Sequence, residues 1–324
     1  MRVAVLGGTV FIGAAGVRSL ERAGHELLII HRGEHLAPER SIGRHVHVSR
    51  EDLASAAGEI HDFAPEAIVD TRAMSARDAE LALAVWPANA RLVVLSSADV
   101  YRAYGSREAG LVTEAMPLDE TSPVREGRYP YRGSGRPGTN DYEKLDVEPL
   151  YLARGGFALR LGFIYGPHDP QHREEFILRR VRAGRTRIPI GAANWLLSRG
   201  FVDDCGEAVR LAVETPGIEG EVFNITESKA PTARLWAQQI LAAAGSDAEL
   251  VRVSERLLPA DMAITTAIGQ HMQIDSSKAR QVLCWRETAP EEAVRESVAW
   301  HLAHPPPDAS ADFSDDDAAL AGSA

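Results

Sequence analysis

Residues 2–13 read RVAVLGGTVFIG. A short apolar run meets Gly7 and Gly8, passes four residues, and reaches Gly13 where a helix-like pattern begins. A strand that ends in glycines and opens a helix brings backbone N–H groups and the helix N-terminus toward negative charge. Gly7 allows the tight turn, and Gly13 allows close helix–strand packing. Val10 stands where G-x-x-G-x-x-G would carry its middle glycine, so Gly8 has to supply the clearance for a phosphate. On this reading Gly7, Gly8, Thr9, Val10, Phe11, Ile12 and Gly13 cradle a dinucleotide.

The cofactor type is read at the end of the second strand, in LLIIHRGEH. An acid there accepts from a ribose 2′-hydroxyl, whereas a base favours a 2′-phosphate. His31 and Arg32 take that place, so NADP is expected over NAD. Asp52 and Leu53, after the third strand, are candidates for contact with the adenine.

Around this loop the first half of the chain alternates strands and helices. The expected strands are Arg2–Leu6, Glu26–Ile30, Val46–Ser49, Ala67–Asp70, Arg91–Ser96 and Phe157–Leu161. They are rich in Val, Ile and Leu and mostly lack polar alternation, as buried parallel strands do. Helices are expected over Ile12–Arg22, Ala76–Val85 and from about Asn140 to Arg154. The rhythm implies an α/β fold, a Rossmann-type doubly wound parallel sheet, in residues 1–163. Residues 164–303 are expected to form mainly a smaller substrate-binding lobe, with some segments returning to the first domain. Its expected elements are helices over Glu174–Ala183, Asp203–Val213, Ser276–Leu283 and Glu291–His301, a strand at Glu221–Ile225, and a helix capped by Thr232. Residues 304–324 are acidic and poor in large apolar side chains, and read as a flexible tail.

The 324 residues are 45% hydrophobic and 25% charged, an ordinary globular composition. No apolar run approaches the ~20 residues of a membrane helix. No signal-peptide pattern follows Met1, and the two cysteines lie far apart, so a cytoplasmic protein is expected. A formal charge of −11 argues against nucleic acid as a partner.

Three further stretches, VVLSSADVY (93–101), LRLGFIYGP (159–167) and RGFVDD (199–204), join GEVFNIT (220–226) and IDSSKARQVLCW (274–285). With GGTVFIG they resemble the extended short-chain dehydrogenase/reductase family, the NAD(P)-dependent epimerase/dehydratase group, from residue 1 to about 303. The resemblance implies reversible hydride transfer on a small polar substrate, sugar-derived or nucleotide-linked. It also implies a homodimer built on the helices near 76–85 and 140–154.

The family's catalytic set is Ser or Thr, Tyr and Lys, with Y-x-x-x-K on one helix face. Ser97 and Lys144 match, and Lys144 would also hold the cofactor ribose. The tyrosine position is Asn140, which cannot transfer a phenolic proton. Three residues remain as substitutes: Tyr142, if the helix begins late; Tyr131, in the preceding loop; and Asp99, where dehydratases of the family carry a glutamate. On the substrate side, Phe163 replaces the family's diphosphate-binding asparagine. Arg199 matches an arginine that pairs with diphosphate in many members. The cluster Arg179, Arg180, Arg182, Arg185 and Arg187 reads as a solvated helix face rather than an anionic pocket. His45 and His47 alternate on a strand, but no cysteine or carboxylate joins them at a suitable spacing, so no metal is expected. Two other readings stay open: a non-catalytic NADP-binding sensor, and an RNA-binding protein. The loop GGTVFIG also resembles that of plant chloroplast stem-loop RNA-binding proteins on this fold.

Overall fold

The computed structural model describes residues 1–34, 43–307 and 310–322. Eleven strands occur among them: β1 Arg2–Leu6, β2 Glu26–His31, β3 Arg44–His47, β4 Ala67–Asp70, β5 Arg91–Ser97, β6 Phe157–Leu161, β7 Phe163–Tyr165, β8 Arg187–Ile190, β9 Arg199–Phe201, β10 Val222–Ile225 and β11 Glu249–Arg252. Seven of them form one sheet in the order β10-β6-β5-β4-β1-β2-β3, with every pairing parallel. The chain reverses direction across the sheet beside β1, which puts the first glycine loop at the crevice where such sheets bind ligands.

The strands are apolar on both faces because both faces are covered. Val3, Val5, Leu27, Ile29 and Val93 point into one layer, with helices Phe11–Arg22 and Val202–Glu214. Ala4, Leu6, Leu28, Ile30 and Val94 point into the other, with helices Ala57–Phe63, Ala76–Leu83 and Lys144–Leu152. Side chains alternate across a strand, so one apolar run supplies both cores.

The strand expected over Glu221–Ile225 is β10, and it extends the main sheet beside β6. The remaining strands lie outside the main sheet as two parallel pairs, β7 with β9 and β8 with β11. Helices Glu175–Arg182, Ala233–Ala243 and Pro290–Ala303 pack around them. The Thr232 hydroxyl accepts from the Leu235 N–H and caps its helix as expected.

The acidic C-terminal segment carries a helix, Ser314–Ala321, packed on the second lobe. It meets the arginine cluster. Arg180 is fully buried and makes a two-pronged pair with fully buried Asp316, at 2.7 Å for both bonds. Arg180 also binds Asp261, Arg179 binds Asp261, and Arg185 binds Asp317. Arg179, Arg180 and Arg185 are therefore held in an ion-pair network, whereas Arg182 pairs with Glu175 on its own helix and Arg187 stays exposed. The aspartates of this network lie far along the chain from its arginines.

Candidate active site

The glycine loop is shaped by crowding. Gly7 has φ +96°, in the region that favours glycine, and a Cβ there would sit 2.5 Å from Thr71 Oγ1. A Cβ on Gly8 would sit 2.5 Å from Val17, and one on Gly13 would sit 2.6 Å from the Gly7 carbonyl oxygen. Val10 is the N-cap residue of helix Phe11–Arg22 and points outward, 40% exposed. It leaves the inner turn to Gly7 and Gly8. The helix has no side-chain cap and no acid in its first turn. Its N–H groups therefore retain capacity for an anion. Thr9, Val10 and Phe11 form one wall of a cleft of about 250 Å³, whose opposite wall is Pro167, His168, Asp169, Pro170, His172 and Trp300.

His31 ends β2 and is buried against His45 and His47. Arg32 is exposed and pairs at 2.8 Å with Glu34. An acid therefore does stand beside this position. Asp52 turns back to Ser49, and Leu53 is buried in the lower core. The polar centre nearest them in sequence is instead Arg50, which holds buried Asp70 with bonds of 2.7 and 2.8 Å, while Tyr151 donates to the same carboxylate.

The catalytic candidates converge more closely than their spacing suggests. The helix expected from Asn140 begins at Lys144. Glu143 is its N-cap, and the Glu143 carboxylate accepts from the Leu145 N–H. Asn140 lies in the exposed turn before it, where its side chain accepts from the Gly133 N–H. Tyr142 therefore sits ahead of the helix and not on its far side. Its hydroxyl donates to Asp99 Oδ2 at 2.8 Å, and Tyr131 donates to the same oxygen at 2.9 Å. The Ser97 hydroxyl lies beside both groups and favours the ionised form of each. It also caps the turn after β5 by accepting from the Asp99 N–H.

Burial sets the electrostatics of this group. It raises the Asp99 carboxyl above its ordinary value, against the lowering effect of the two phenols and Arg125. Asp99 Oδ1 is buried and unpartnered. Burial and the nearby Asp99 charge push the Tyr142 phenol well above its usual value. The Lys144 ammonium is pushed down to about 8 by burial, with Arg50 adding to the effect. It lies 5.7 Å from the Tyr142 ring centre and donates to the Ala73 and Leu95 carbonyls.

Arg125, which no motif marks, ties the site together. Its Nε donates to the Asp99 carbonyl, and its two terminal nitrogens grip Glu143 at 2.9 and 2.5 Å. One buried side chain thus links the strand end bearing Asp99 to the residue that follows Tyr142. Burial opposes ionisation of Glu143, but Arg125 and the Tyr129 and Leu145 N–H groups hold its carboxyl below the ordinary value.

The two substrate candidates lie in a separate cluster. Arg199 is buried, donating to Glu227 at 2.9 Å and to Gln239, while Tyr165 donates to the same Glu227 carboxylate. Its charge is answered by Glu227, while one nitrogen, Nη1, is left unpartnered. Phe163 packs edge-on against Trp236 and under the Arg173 guanidinium. An apolar ring held this way supplies no donor.

No helix among the described residues is long and apolar enough to cross a membrane. The model of the NAD dependent epimerase/dehydratase family matches residues 3–226. The chain is 27% identical over 322 residues to the 3-diazoavenalumate denitrifying reductase of a Streptomyces species, covering 90% of this chain and 97% of that one. It is 25% identical over 309 residues to the Arabidopsis thaliana chloroplast stem-loop binding protein of 41 kDa b, covering 88% and 75%. The fold superimposes on Bacillus anthracis dTDP-glucose 4,6-dehydratase, solved in complex with NAD, with a TM-score of 0.71 at 16% identity over 94% of this chain and 97% of that one.

Proposed function

The chain belongs to the NAD dependent epimerase/dehydratase family, and on that premise we propose that it is an NADP-linked oxidoreductase acting on a small polar substrate, with Tyr142 as the proton-transferring residue. The observation that carries this reading is the buried hydrogen bond of Tyr142 to Asp99, with Ser97 on the Asp99 backbone N–H and the Lys144 amine beside the Tyr142 ring. The glycine loop suits a dinucleotide, because no Cβ fits at Gly7, Gly8 or Gly13 beside the protein's own atoms, so strand and helix meet closely and the helix N-terminus is left without a side-chain cap. The backbone from Gly7 to Gly13 would hold the pyrophosphate, His31 and Arg32 the 2′-phosphate, and Lys144 the nicotinamide ribose. When bound, the nicotinamide supplies or takes up hydride.

The residues of this chain handle the proton. A phenol raised by burial and by a carboxylate is a proton donor, not a base. Tyr142 therefore protonates a substrate oxygen as that oxygen gains negative charge. Ser97 orients the same oxygen, Asp99 holds the phenol in place by accepting its O–H at 2.8 Å, and Tyr142 regains its proton from solvent after product leaves. This polarity suits reduction, and the 27% identical relative is a reductase by name. The homodimer would form on helices Ala76–Leu83 and Lys144–Leu152, which pack side by side.

The test begins with fluorescence titration by NADPH and NADH, followed by NADPH oxidation with a panel of carbonyl compounds and activated sugars. Tyr142→Phe is expected to lower turnover by about 10²- to 10⁴-fold while NADPH affinity stays the same. Asn140→Ala is expected to stay near wild type. Wild-type turnover in Tyr142→Phe removes the assignment. Tight NADPH binding with no turnover of any compound favours the sensor reading. RNA binding is the third reading, favoured by the identity to the stem-loop binding protein. Against it stand the net charge of −11 and the pairing of the main arginine cluster with aspartates. A salt-sensitive gel shift would support it.

A further inference from the structure

Three histidines meet at the outer edge of the main sheet. His31 ends β2, and His45 and His47 lie on β3, the edge strand. The parallel register sets His31 opposite His47 and Ile29 opposite His45. Residues two apart on a strand share a face, so all three imidazoles rise from the same side. Their ring centres are 4.7 Å apart for His31 and His47, 5.1 Å for His31 and His45, and 6.5 Å for His45 and His47. One nitrogen from each ring lies within 4.8 Å of the other two.

We propose that His31, His45 and His47 form a binding site for one divalent cation of the zinc class, with a fourth position open to water. Imidazole is a ligand for zinc, copper and nickel, and a set without carboxylates does not suit magnesium or calcium. Three nitrogens at 2.0–2.1 Å from a tetrahedral centre stand about 3.3 Å from one another. The His31 Nε2 to His45 Nδ1 distance of 2.9 Å needs to open by only a few tenths of an ångström. His47 is exposed and closes the remainder by side-chain rotation.

The proton balance is explicit. His31 Nδ1 accepts from the Gly33 N–H at 3.1 Å, so the proton shared with His45 belongs to His31 Nε2. The cation takes the Nε2 lone pair, and the ring proton moves to Nδ1. The Gly33 N–H must then turn away. Gly33, at φ +83° and without a Cβ, is the residue type best able to do so. The charged groups nearby in sequence are Arg32, paired with Glu34, and Arg44 at the start of β3.

The site shares His31 with the proposed cofactor contact, so it is tested without nucleotide and through His45 and His47 alone, and the two readings fail separately. Chelator-treated protein is titrated calorimetrically with Zn²⁺ at pH 7.5, beside the double variant His45→Ala/His47→Ala, with far-ultraviolet dichroism confirming the fold. The expected result is one Zn²⁺ per chain in the wild type, weakened about tenfold or more in the variant, with no response to Mg²⁺. Absence of stoichiometric Zn²⁺ binding overturns the proposal. So does stoichiometric binding that the double variant retains, since that places the ion elsewhere.

Discussion

Gly13→Ala and Gly58→Ala make the same chemical change in two helices, and the structure predicts opposite outcomes. On helix propensity alone each gains about 1 kcal/mol. Gly58, in helix Ala57–Phe63, has no heavy atom within 4 Å of the place a Cβ would take, so its variant is expected to be more stable by up to that amount. At Gly13 the new Cβ would lie 2.6 Å from the Gly7 carbonyl oxygen and 3.2 Å from Gly8 Cα. Relief requires the helix to move away from the loop. Its other side is blocked, because Gly206 of helix Val202–Glu214 already abuts the Ala15 backbone where a Cβ would be 2.5 Å away. Overpacking of this kind costs about 1–3 kcal/mol. The net expectation for Gly13→Ala is a loss of about 1 kcal/mol, read by urea unfolding. Displacing the helix N-terminus also weakens NADPH binding by about tenfold or more, read by fluorescence titration. A Gly13→Ala protein as stable as Gly58→Ala, with wild-type NADPH affinity, would refute the packing argument and the cofactor loop together.

Two stability predictions follow from buried charges. Asp316→Asn removes the charge that meets fully buried Arg180, leaving Asp261 as the remaining partner, and is expected to cost about 2–3 kcal/mol. Asp315→Asn, one residue away and exposed, stays within about 0.5 kcal/mol; equal small effects in chemical unfolding would mean that the C-terminal helix does not dock. Burial pushes the Glu174 carboxyl up to about 8, although Ser297 donates to it. A folded-state value above the unfolded one makes stability fall as pH rises from about 4.5 to 8. His301, pushed down to about 4 mainly by burial, acts only below about 6.5. Between pH 6.5 and 8 the loss from Glu174 is therefore about 2 kcal/mol. Glu174→Gln keeps an acceptor for Ser297 and should flatten that slope; an unchanged slope would show that Glu174 ionises normally.

The local signals were legible in the chain. Glycine spacing marked the tight turn after β1, because the crowding at Gly7 and Gly13 comes from the same strand–helix junction. Unbroken Val, Ile and Leu runs marked buried strands, and Thr232 showed as a cap residue because its partner lies three residues away. The start of the helix at Lys144 was not legible. Its cap, Glu143, is held by Arg125 eighteen residues earlier, and that contact decides that Tyr142 rather than Asn140 faces Asp99. The fate of Arg199 and of the arginine cluster depended equally on distant acids, Glu227 and Asp316. His31 joins His45 and His47 only through the register of two strands. Sequence by itself determined the fold and the tight glycine turn, since hydrophobic period and glycine sterics act between near neighbours. Tertiary structure decided which polar groups meet, since a buried charge takes whichever partner the packing brings within hydrogen-bond distance.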